Sequence, residues 1–239
     1  MTRAISPTVR TIATCLALMA GSNAFAQTVQ SADAPPVENA SFHQLVFSND
    51  DVAILSNRYP PGGESGFHAH YRDLFAVVIQ SASSSAQNLG GPLRVAPTLA
   101  VGAVAYSPVG ATPRVHRVIN GAEGGAHYIV VELRRPQPLG APVSSRASAP
   151  QYVQVTDNPR LRAWRLILEP GESAPTITQG GAGVRVVVRG GLLTTSSGGY
   201  PDQTLSLKAG EFALQDAGGA RSLRNSGTDV IELIELELK

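Results

Sequence analysis

Short apolar segments separated by turn residues run through most of the chain from Phe42 onward. Many of them are rich in β-branched residues, and Gly, Pro, Asn, Asp and Ser stand between them. Segments of this length with closely spaced turns are typical of an all-β sandwich or barrel. In the first half, the predicted strands are residues 44–47, 53–59, 75–79, 101–106, 115–119 and 127–133.

Two segments lack this pattern and are predicted to be connections. Residues 81–91 are rich in serine and glycine, which indicates a loop. Residues 135–150 contain four prolines, which favour an extended linker over a helix. The linker divides the folded part of the chain into two predicted domains, residues 42–134 and 151–239.

The second half repeats the first in weakened form. Residues 171–173 (Gly-Glu-Ser) repeat residues 63–65, and the glycine of 210–212 stands where that of 102–104 does, both at an offset of 108 residues. Two copies of one folding unit are therefore predicted. In the last predicted strand, residues 231–238, the apolar positions change parity part-way along, which predicts a β-bulge.

The start of the chain has the pattern of a secretory signal peptide, residues 1–26. A basic beginning is followed by an apolar run at 11–20 and by a small-x-small cleavage signal at 24–26. We therefore predict cleavage after Ala26 and an exported protein, periplasmic or secreted. The apolar run is too short to span a bilayer, so no stable membrane anchor is expected. Residues 27–41 are polar and are predicted to form a flexible leader.

Charge and cysteine content exclude several classes of protein. The chain has 19 basic and 18 acidic side chains, and loss of residues 1–26, which hold two arginines, would leave 17 and 18. A net charge near −1 without basic runs predicts no nucleic-acid partner. The single cysteine, Cys15, lies in the predicted signal peptide, so the mature protein would have no disulfide. Stability must then come from the core, a bound metal or association of subunits such as a homodimer.

A candidate metal site begins at His68 and His70, which follow a turn rich in proline and glycine. On a β-strand this spacing places both rings on one face, because side chains alternate between faces. Imidazole is the commonest protein ligand for transition metals. Two half-exposed polar residues would give the same pattern, so the hypothesis needs a third ligand. His116, in a later predicted strand, is the candidate.

Around these histidines the chain resembles the cupin superfamily of small β-barrels. Its first motif is a glycine, five residues, His-x-His and then a glutamate; Gly62 and the histidine pair match it. Its second motif runs from a glycine through a proline and a second glycine to a histidine and an asparagine; residues 102–120 match it, with His116 and Asn120. The resemblance implies two tandem cupin-type β-barrels (double-stranded β-helix or jelly roll), of which the first carries the metal.

Two departures from the motifs bear on the metal site. Five residues rather than two separate Gly110 from His116, which predicts a longer turn. The motif glutamate is absent, because Leu74 and Phe75 stand at its positions. Asp73 is the nearest carboxylate, and it either supplies a fourth, oxygen ligand or caps backbone amides in a turn between two strands.

The second half is predicted to have lost the metal site. At the offset of 108 residues, Thr176 and Thr178 replace the two histidines of the first motif. With Gln179 they could line a pocket that needs no metal. The alternative is a structural role, in which the second barrel covers the first or buries a dimer surface.

Other side chains near the motifs are candidates for roles around the metal. Arg114 shares the strand face of the third histidine and could bind a substrate carboxylate, although a solvated surface charge is the alternative. Tyr71 is a second candidate substrate contact. Asn120 and His127 are expected beside the ligands, with metal ligation the alternative for His127. His43 precedes the predicted barrel and is given no role.

The resemblance implies a metal-dependent enzyme, and cupin dioxygenases that cleave carbon bonds often use three histidines. We expect one divalent transition metal (Fe, Mn, Zn or Ni) and a small organic molecule as ligand. A non-catalytic exported protein that binds a small molecule or the metal is the alternative, because a fold does not fix a function. No residue is placed clearly as a general base, which weakens the hydrolase and isomerase versions.

Overall fold

The computed structural model describes residues 33–135, 138 and 144–239. The predicted signal peptide, the first part of the leader and part of the linker lie outside the described residues. Within them, eighteen β-strands form four antiparallel sheets. Two short 3₁₀ helices precede β1 and β10. In this part of the chain no helix has the length and hydropathy needed to cross a bilayer.

The first nine strands form one barrel of two sheets. Their bounds are β1 His43–Ser48, β2 Val52–Tyr59, β3 His68–His70, β4 Leu74–Gln80, β5 Ser84–Asn88, β6 Arg94–Ala96, β7 Val104–Ser107, β8 Arg114–Asn120 and β9 Ala126–Leu133. One sheet has the order β1-β2-β9-β4-β7 and the other β3-β8-β5-β6.

The second nine strands repeat this arrangement strand for strand. Their bounds are β10 Tyr152–Asp157, β11 Leu161–Leu168, β12 Ser173–Thr178, β13 Gly183–Arg189, β14 Gly191–Ser197, β15 Gln203–Leu207, β16 Phe212–Gln215, β17 Ala220–Asn225 and β18 Ile231–Leu238. The sheet orders are β10-β11-β18-β13-β16 and β12-β17-β14-β15, so each strand has its counterpart nine strands earlier. The predicted all-β fold with two tandem barrels is confirmed.

The two five-stranded sheets pack face to face and share one hydrophobic core. The first barrel contributes residues such as Phe75 and Ile129, and the second contributes Val186 and Ile234, all at most 1% exposed. Each barrel also has an interior cluster of its own. The central strands of these two sheets, such as β4, β9, β13 and β18, are therefore buried on both faces. Burial of apolar area is the main source of stability that joins the halves.

This double burial explains the change of parity in β18. Ile231 and Leu233 lie inside the second barrel, whereas Ile234 and Leu236 lie in the shared core. The strand pairs with β11 without a register shift, and the irregularity lies in β13 between Val187 and Arg189. The predicted bulge in β18 is therefore wrong.

The predicted loop at residues 81–91 contains strand β5. It pairs with β8 on one side and β6 on the other. Its residues are small and polar and are mostly half-buried, so no apolar alternation marks the strand in the sequence. Pairing with its neighbours defines β5, and the prediction of a simple loop is wrong here.

Both predicted connections are ordered where the structure describes them. In the leader, a 3₁₀ helix at Val37–Asn39 buries Val37 against Leu55, Leu74 and Val130, so the predicted flexibility is wrong for this part. The backbone amide of Ala69 also donates to the carbonyl oxygen of Pro35 at 2.8 Å. In the linker, a 3₁₀ helix at Ser145–Ser148 brings a buried arginine to the second barrel.

Candidate metal centre

The structure brings the three candidate histidine ligands together inside the first barrel. Strand β3 pairs with β8 so that His68 stands directly opposite His116. His70 lies two residues further along β3, on the same face. The ring centroids are 4.7 to 5.1 Å apart. One ring nitrogen from each histidine lies within 4.8 Å of the other two, and all three residues are buried.

His68 has a free lone pair in the barrel interior. Its Nδ1 lies 3.1 Å from the carbonyl oxygen of Gly66. A carbonyl only accepts, so Nδ1 carries the proton and Nε2 does not. Nε2 is buried and has no hydrogen-bond partner among the described residues. A metal ion would satisfy this atom, so His68 fits the role of a ligand.

His70 is oriented by Glu132, which the sequence analysis missed. Its Nδ1 lies 3.3 Å from Glu132 Oε1, and the carboxylate is 3% exposed. This bond keeps the proton on Nδ1 and turns the lone pair of Nε2 toward the other two rings. Glu132 pairs with Leu74 in the β4–β9 ladder, beside the position of the absent motif glutamate. Its charge within an otherwise apolar stretch of β9 was the available sequence signal.

His116 completes the cluster, with two different neighbours. Its Nε2 lies 3.1 Å from His70 Nε2. Its Nδ1 lies 3.1 Å from Nη2 of Arg114, which donates the hydrogen bond. Arg114 therefore lies beside a candidate ligand and also lines the cavity described below.

Burial keeps the rings of His68 and His116 neutral. It lowers the pKa of His68 to about 3, with a further contribution from His43. It lowers the pKa of His116 to about 2, with a further contribution from the positive charge of Arg114. Neutral imidazoles are the form that binds metals, so at neutral pH neither ring has to lose a proton to bind an ion.

A cavity of about 210 Å³ lies next to the cluster. His70 and His116 line it on one side, and Leu74, Val118 and Val130 make much of it apolar. Among the described residues, no aspartate or glutamate lines it. A space of this size suits one small organic molecule.

His43 also lines this cavity, contrary to its dismissal on sequence grounds. Its ring centroid is 4.5 Å from that of His68, and its Nε2 lies 3.2 Å from the hydroxyl of Tyr59. Burial lowers the pKa of His43 to about 4. No sequence pattern indicates this position, because His43 is remote from both motifs along the chain.

Asp73 does not join the cluster. Its carboxylate accepts hydrogen bonds from the Tyr106 hydroxyl at 2.6 Å, the Val109 amide at 2.9 Å and Arg160 at 3.1 Å. These contacts hold it at the turn between β7 and β8 and attach that turn to the second barrel. The interpretation as a fourth ligand does not fit this position, and the interpretation as a cap for backbone amides does.

Two of the other candidates lie away from the cavity lining. Tyr71 is 52% exposed, so it does not fit the predicted substrate contact. Asn120 is buried, and its Nδ2 donates to the carbonyl oxygens of Pro60 and Gly124 at 2.9 and 2.6 Å. It ties two turns together and does not contact the histidines, so its expected place beside the ligands is wrong.

His127 faces the second barrel. Its Nε2 lies 3.0 Å from the Ser56 hydroxyl, and its ring packs so closely on Gly210 that a Cβ there would be 2.4 Å from Cε1. Alternation along β9 places His127 with Ile129 on the shared-core side, opposite Glu132. Neither predicted role for His127, beside the ligands or among them, fits this position.

In the second barrel, different residues take the positions of the ligands. Arg221 of β17 pairs with Ile177 of β12, as His116 pairs with His68, and Gln179 follows two residues later. Thr176 and Thr178 are exposed and do not face the interior of this barrel, whereas Gln179 is buried there.

A buried ion-pair cluster lies in the second barrel, next to its apolar core. Arg146 is 1% exposed and contacts Glu235, Glu237 and Gln179. Arg185 donates to Glu235 as well, at 2.7 Å. Buried charges need partners of this kind, because desolvation is costly.

No family model matches the chain, and no curated protein sequence matches it. Solved structures with the same architecture do. AerE from Microcystis aeruginosa is 14% identical, with 86% of this chain and 97% of that protein aligned and a TM-score of 0.62. Salicylate 1,2-dioxygenase from Pseudaminobacter salicylatoxidans is 13% identical over 78% of this chain and 70% of that one (TM-score 0.53). Oxalate decarboxylase from Bacillus subtilis is 12% identical over 79% and 69% (TM-score 0.52).

At such identities the likeness concerns the fold. The same two-barrel arrangement carries the motif residues that resemble cupins, with the histidines of both motifs meeting in the first barrel. The chain therefore has the fold of the cupin superfamily, with two cupin barrels in tandem.

Proposed function

We propose that the first barrel binds one divalent transition metal through His68, His70 and His116, and that the protein is a metal-dependent enzyme of dioxygenase type. The observation that carries this proposal is the meeting of three buried imidazoles beside a cavity. Similar folds include a dioxygenase and a decarboxylase, which supports a catalytic use of such a barrel.

The histidines, the apolar cavity residues and Glu132 would have separate roles in such a site. Three histidine ligands leave further positions open on an ion that accepts five or six, which distinguishes a catalytic from a closed structural site. Such an ion would supply Lewis acidity and, as Fe(II), redox chemistry with dioxygen. Leu74, Val118 and Val130 would exclude water from the substrate, and Glu132 would hold His70 in position.

Metal content tests the binding site directly. We expect wild-type protein, loaded with Fe(II) or Zn(II) and freed of excess ion, to retain about one ion per chain. The His68→Ala, His70→Ala double variant should retain none, because one ring cannot hold the ion alone. His127→Gln is the matched control, since that histidine faces the other barrel. Equal metal content in wild type and double variant would refute the proposal.

A non-catalytic binding protein is the second candidate. It is favoured by the absence of any aspartate or glutamate from the lining of the cavity, as far as the structure describes it. Oxygen uptake by the Fe(II)-loaded protein, measured across small phenols, diketones and thiols, separates the two. Uptake with one class of substrate supports the enzyme, and a flat response to all supports the binding protein.

We also propose that the protein is exported, on the strength of the signal-peptide pattern in residues 1–26. Expression with the full sequence, fractionation of the cells and N-terminal sequencing test this. The mature protein should begin at Gln27 and be found outside the cytoplasm. Full-length protein in the cytoplasm would contradict the proposal.

A further inference from the structure

We propose that Arg114 couples the metal site to the cavity, so that a small carboxylate-bearing ligand and the metal ion bind cooperatively. The inference rests on the proposed metal site and adds to it the chemical class of the ligand. Its basis is the position of the Arg114 guanidinium group. This group contacts His116, a candidate metal ligand, and also lines the cavity beside the histidines.

The hydrogen bonds around His116 determine where its proton lies. Arginine can only donate, so the bond of 3.1 Å from Arg114 requires an unprotonated Nδ1 on His116. The proton of the neutral ring is then on Nε2, which faces Nε2 of His70 at 3.1 Å. His70 in turn donates from Nδ1 to Glu132. A chain of donors therefore runs from Arg114 through both histidines to Glu132.

Metal ligation by His116 is incompatible with the hydrogen bond from Arg114 to its Nδ1. If Nε2 binds the ion, the proton moves to Nδ1, which can no longer accept from Arg114. If Nδ1 binds the ion, its only lone pair is used. In both cases Arg114 loses its acceptor, and no net proton is gained or lost by the ring. His68 and His70 have no such conflict, because each carries its proton on Nδ1 and its Nε2 lone pair faces the centre.

The guanidinium that is released has space but no counter-ion. Among the described residues, no aspartate or glutamate lies within ion-pair distance of Arg114. The group is half-buried and lines both the inner cavity and an outer groove of about 410 Å³, which also holds Arg94. Neither lining includes an acidic residue among those described. A carboxylate fits here, because it accepts two parallel bonds from a guanidinium.

A carboxylate would also reduce the repulsion between Arg114 and the metal cation. Binding of the metal without the anion leaves a half-buried cation unpaired next to a second cation, and the anion removes both costs. The anion therefore strengthens metal binding. By thermodynamic linkage, the metal strengthens anion binding by the same factor.

Zinc affinity, measured by competition with a chromophoric chelator at constant ionic strength, tests the coupling. We expect saturating acetate or benzoate to lower the zinc Kd of wild type by about fivefold or more, the lower end of typical coupling. Benzamide, which has the shape of benzoate without its charge, should have no effect. In Arg114→Gln, zinc should bind at least as tightly as to wild type without anion, and benzoate should change nothing.

Arg117→Gln is the matched control. Arg117 lies on the same strand but on the opposite face, where it contacts Gln87 and Glu64, so this variant should respond to benzoate as wild type does. Zinc binding by wild type that is insensitive to both carboxylates would overturn the coupling and leave the metal site intact. Failure to bind zinc at all would overturn the proposed function itself.

Long-range ¹H–¹⁵N NMR of histidine-labelled protein gives a readout that needs no carboxylate. In metal-free wild type, the His116 signals should show a proton on Nε2, and zinc should shift the Nδ1 signal, because Nδ1 then either carries the proton or binds the ion. A proton on Nδ1 before zinc is added would show that His116 does not accept from Arg114, and the proposal would fail.

Discussion

At the scale of single residues, the metal site depends on hydrogen bonds that fix each imidazole ring. Gly66 and Glu132 each accept from an Nδ1, which leaves an Nε2 lone pair facing inward. Backbone carbonyls do this irrespective of sequence, but Glu132 is a side chain that can be changed. Its second oxygen lies 3.8 Å from Arg72, so its charge is partly balanced from outside the site.

Replacement of Glu132 by glutamine should weaken metal binding. The amide oxygen still accepts from His70, but the negative charge beside the cation site is lost. Substitutions of such partners typically cost about 10- to 100-fold in metal affinity, and the zinc Kd should rise by that factor. Glu64→Gln, at a surface ion pair, is the control. An unchanged zinc Kd in Glu132→Gln would show that Glu132 does not act through His70.

His127 should make stability depend on pH. Burial, and then the charge of Arg58, lowers its pKa to about 4, whereas an unfolded histidine titrates near 6.5. Between these values the unfolded chain binds a proton that the folded chain does not, so stability falls as pH drops through this window. From pH 7 to pH 5 the contribution of His127 is about 2 kcal/mol. Denaturant unfolding measures how far the free energy of unfolding falls from pH 7 to pH 5, and this fall should be smaller by that amount in His127→Gln than in wild type. An identical fall in both proteins would contradict the assignment.

At the scale of elements, the two 3₁₀ segments before β1 and β10 close corresponding places in the two barrels with different chemistry. The first buries Val37 in an apolar cluster. The second buries Arg146 against Glu235 and Glu237. Gln179 and Arg221 take the positions of His70 and His116, and Gln179 accepts from Arg146 and from Arg221. Ile177 takes the position of His68 and belongs to the apolar cluster of the second barrel.

Replacement of Arg146 by methionine should destabilise the protein strongly. Glu235 and Glu237 would lose a buried positive partner, and the loss of one member of a buried ion pair costs about 3–5 kcal/mol. Denaturant unfolding measures the loss. The double variant with Glu237→Gln should recover part of it, because the unpaired charge of Glu237 is removed while Glu235 keeps Arg185 as a partner. A double variant less stable than the single one would show that lost packing, rather than lost pairing, is the cause.

At the scale of the whole molecule, the shared core makes the two barrels one cooperative unit. Residues of both halves interleave in one cluster, and Trp164, the single tryptophan, lies inside the second barrel. Unfolding of one half would expose the apolar core that it shares with the other, so the two halves should unfold together.

We expect one unfolding transition, with Trp164 fluorescence and far-ultraviolet circular dichroism following the same curve. Ile129→Ala, a truncation in the first barrel, should lower the stability seen by Trp164 in the second by about 2–5 kcal/mol. Two separate steps in circular dichroism, with fluorescence following only one, would show that the barrels unfold independently.

The sequence by itself determined the strand content, the internal repeat and three metal-ligand candidates, because alternation of side chains and the spacing of motif residues are local properties. Most predicted strands of the first half are found within a few residues of their expected bounds. Strand β5 has no apolar alternation, because its residues are small and polar, so the sequence pattern does not predict it. Burial of β18 on both faces gives apolar positions of both parities, which resembles the pattern of a bulge.

Only the tertiary structure decided which distant side chains meet. Asp73 is close to the histidines along the chain but is held by Tyr106 and Arg160, whereas Glu132 and His43 are remote in sequence and reach the site. Strand alternation sent His127 to the other barrel. The register between strands and the packing of one sheet on another set these contacts. Neither can be inferred from the spacing of residues along one strand.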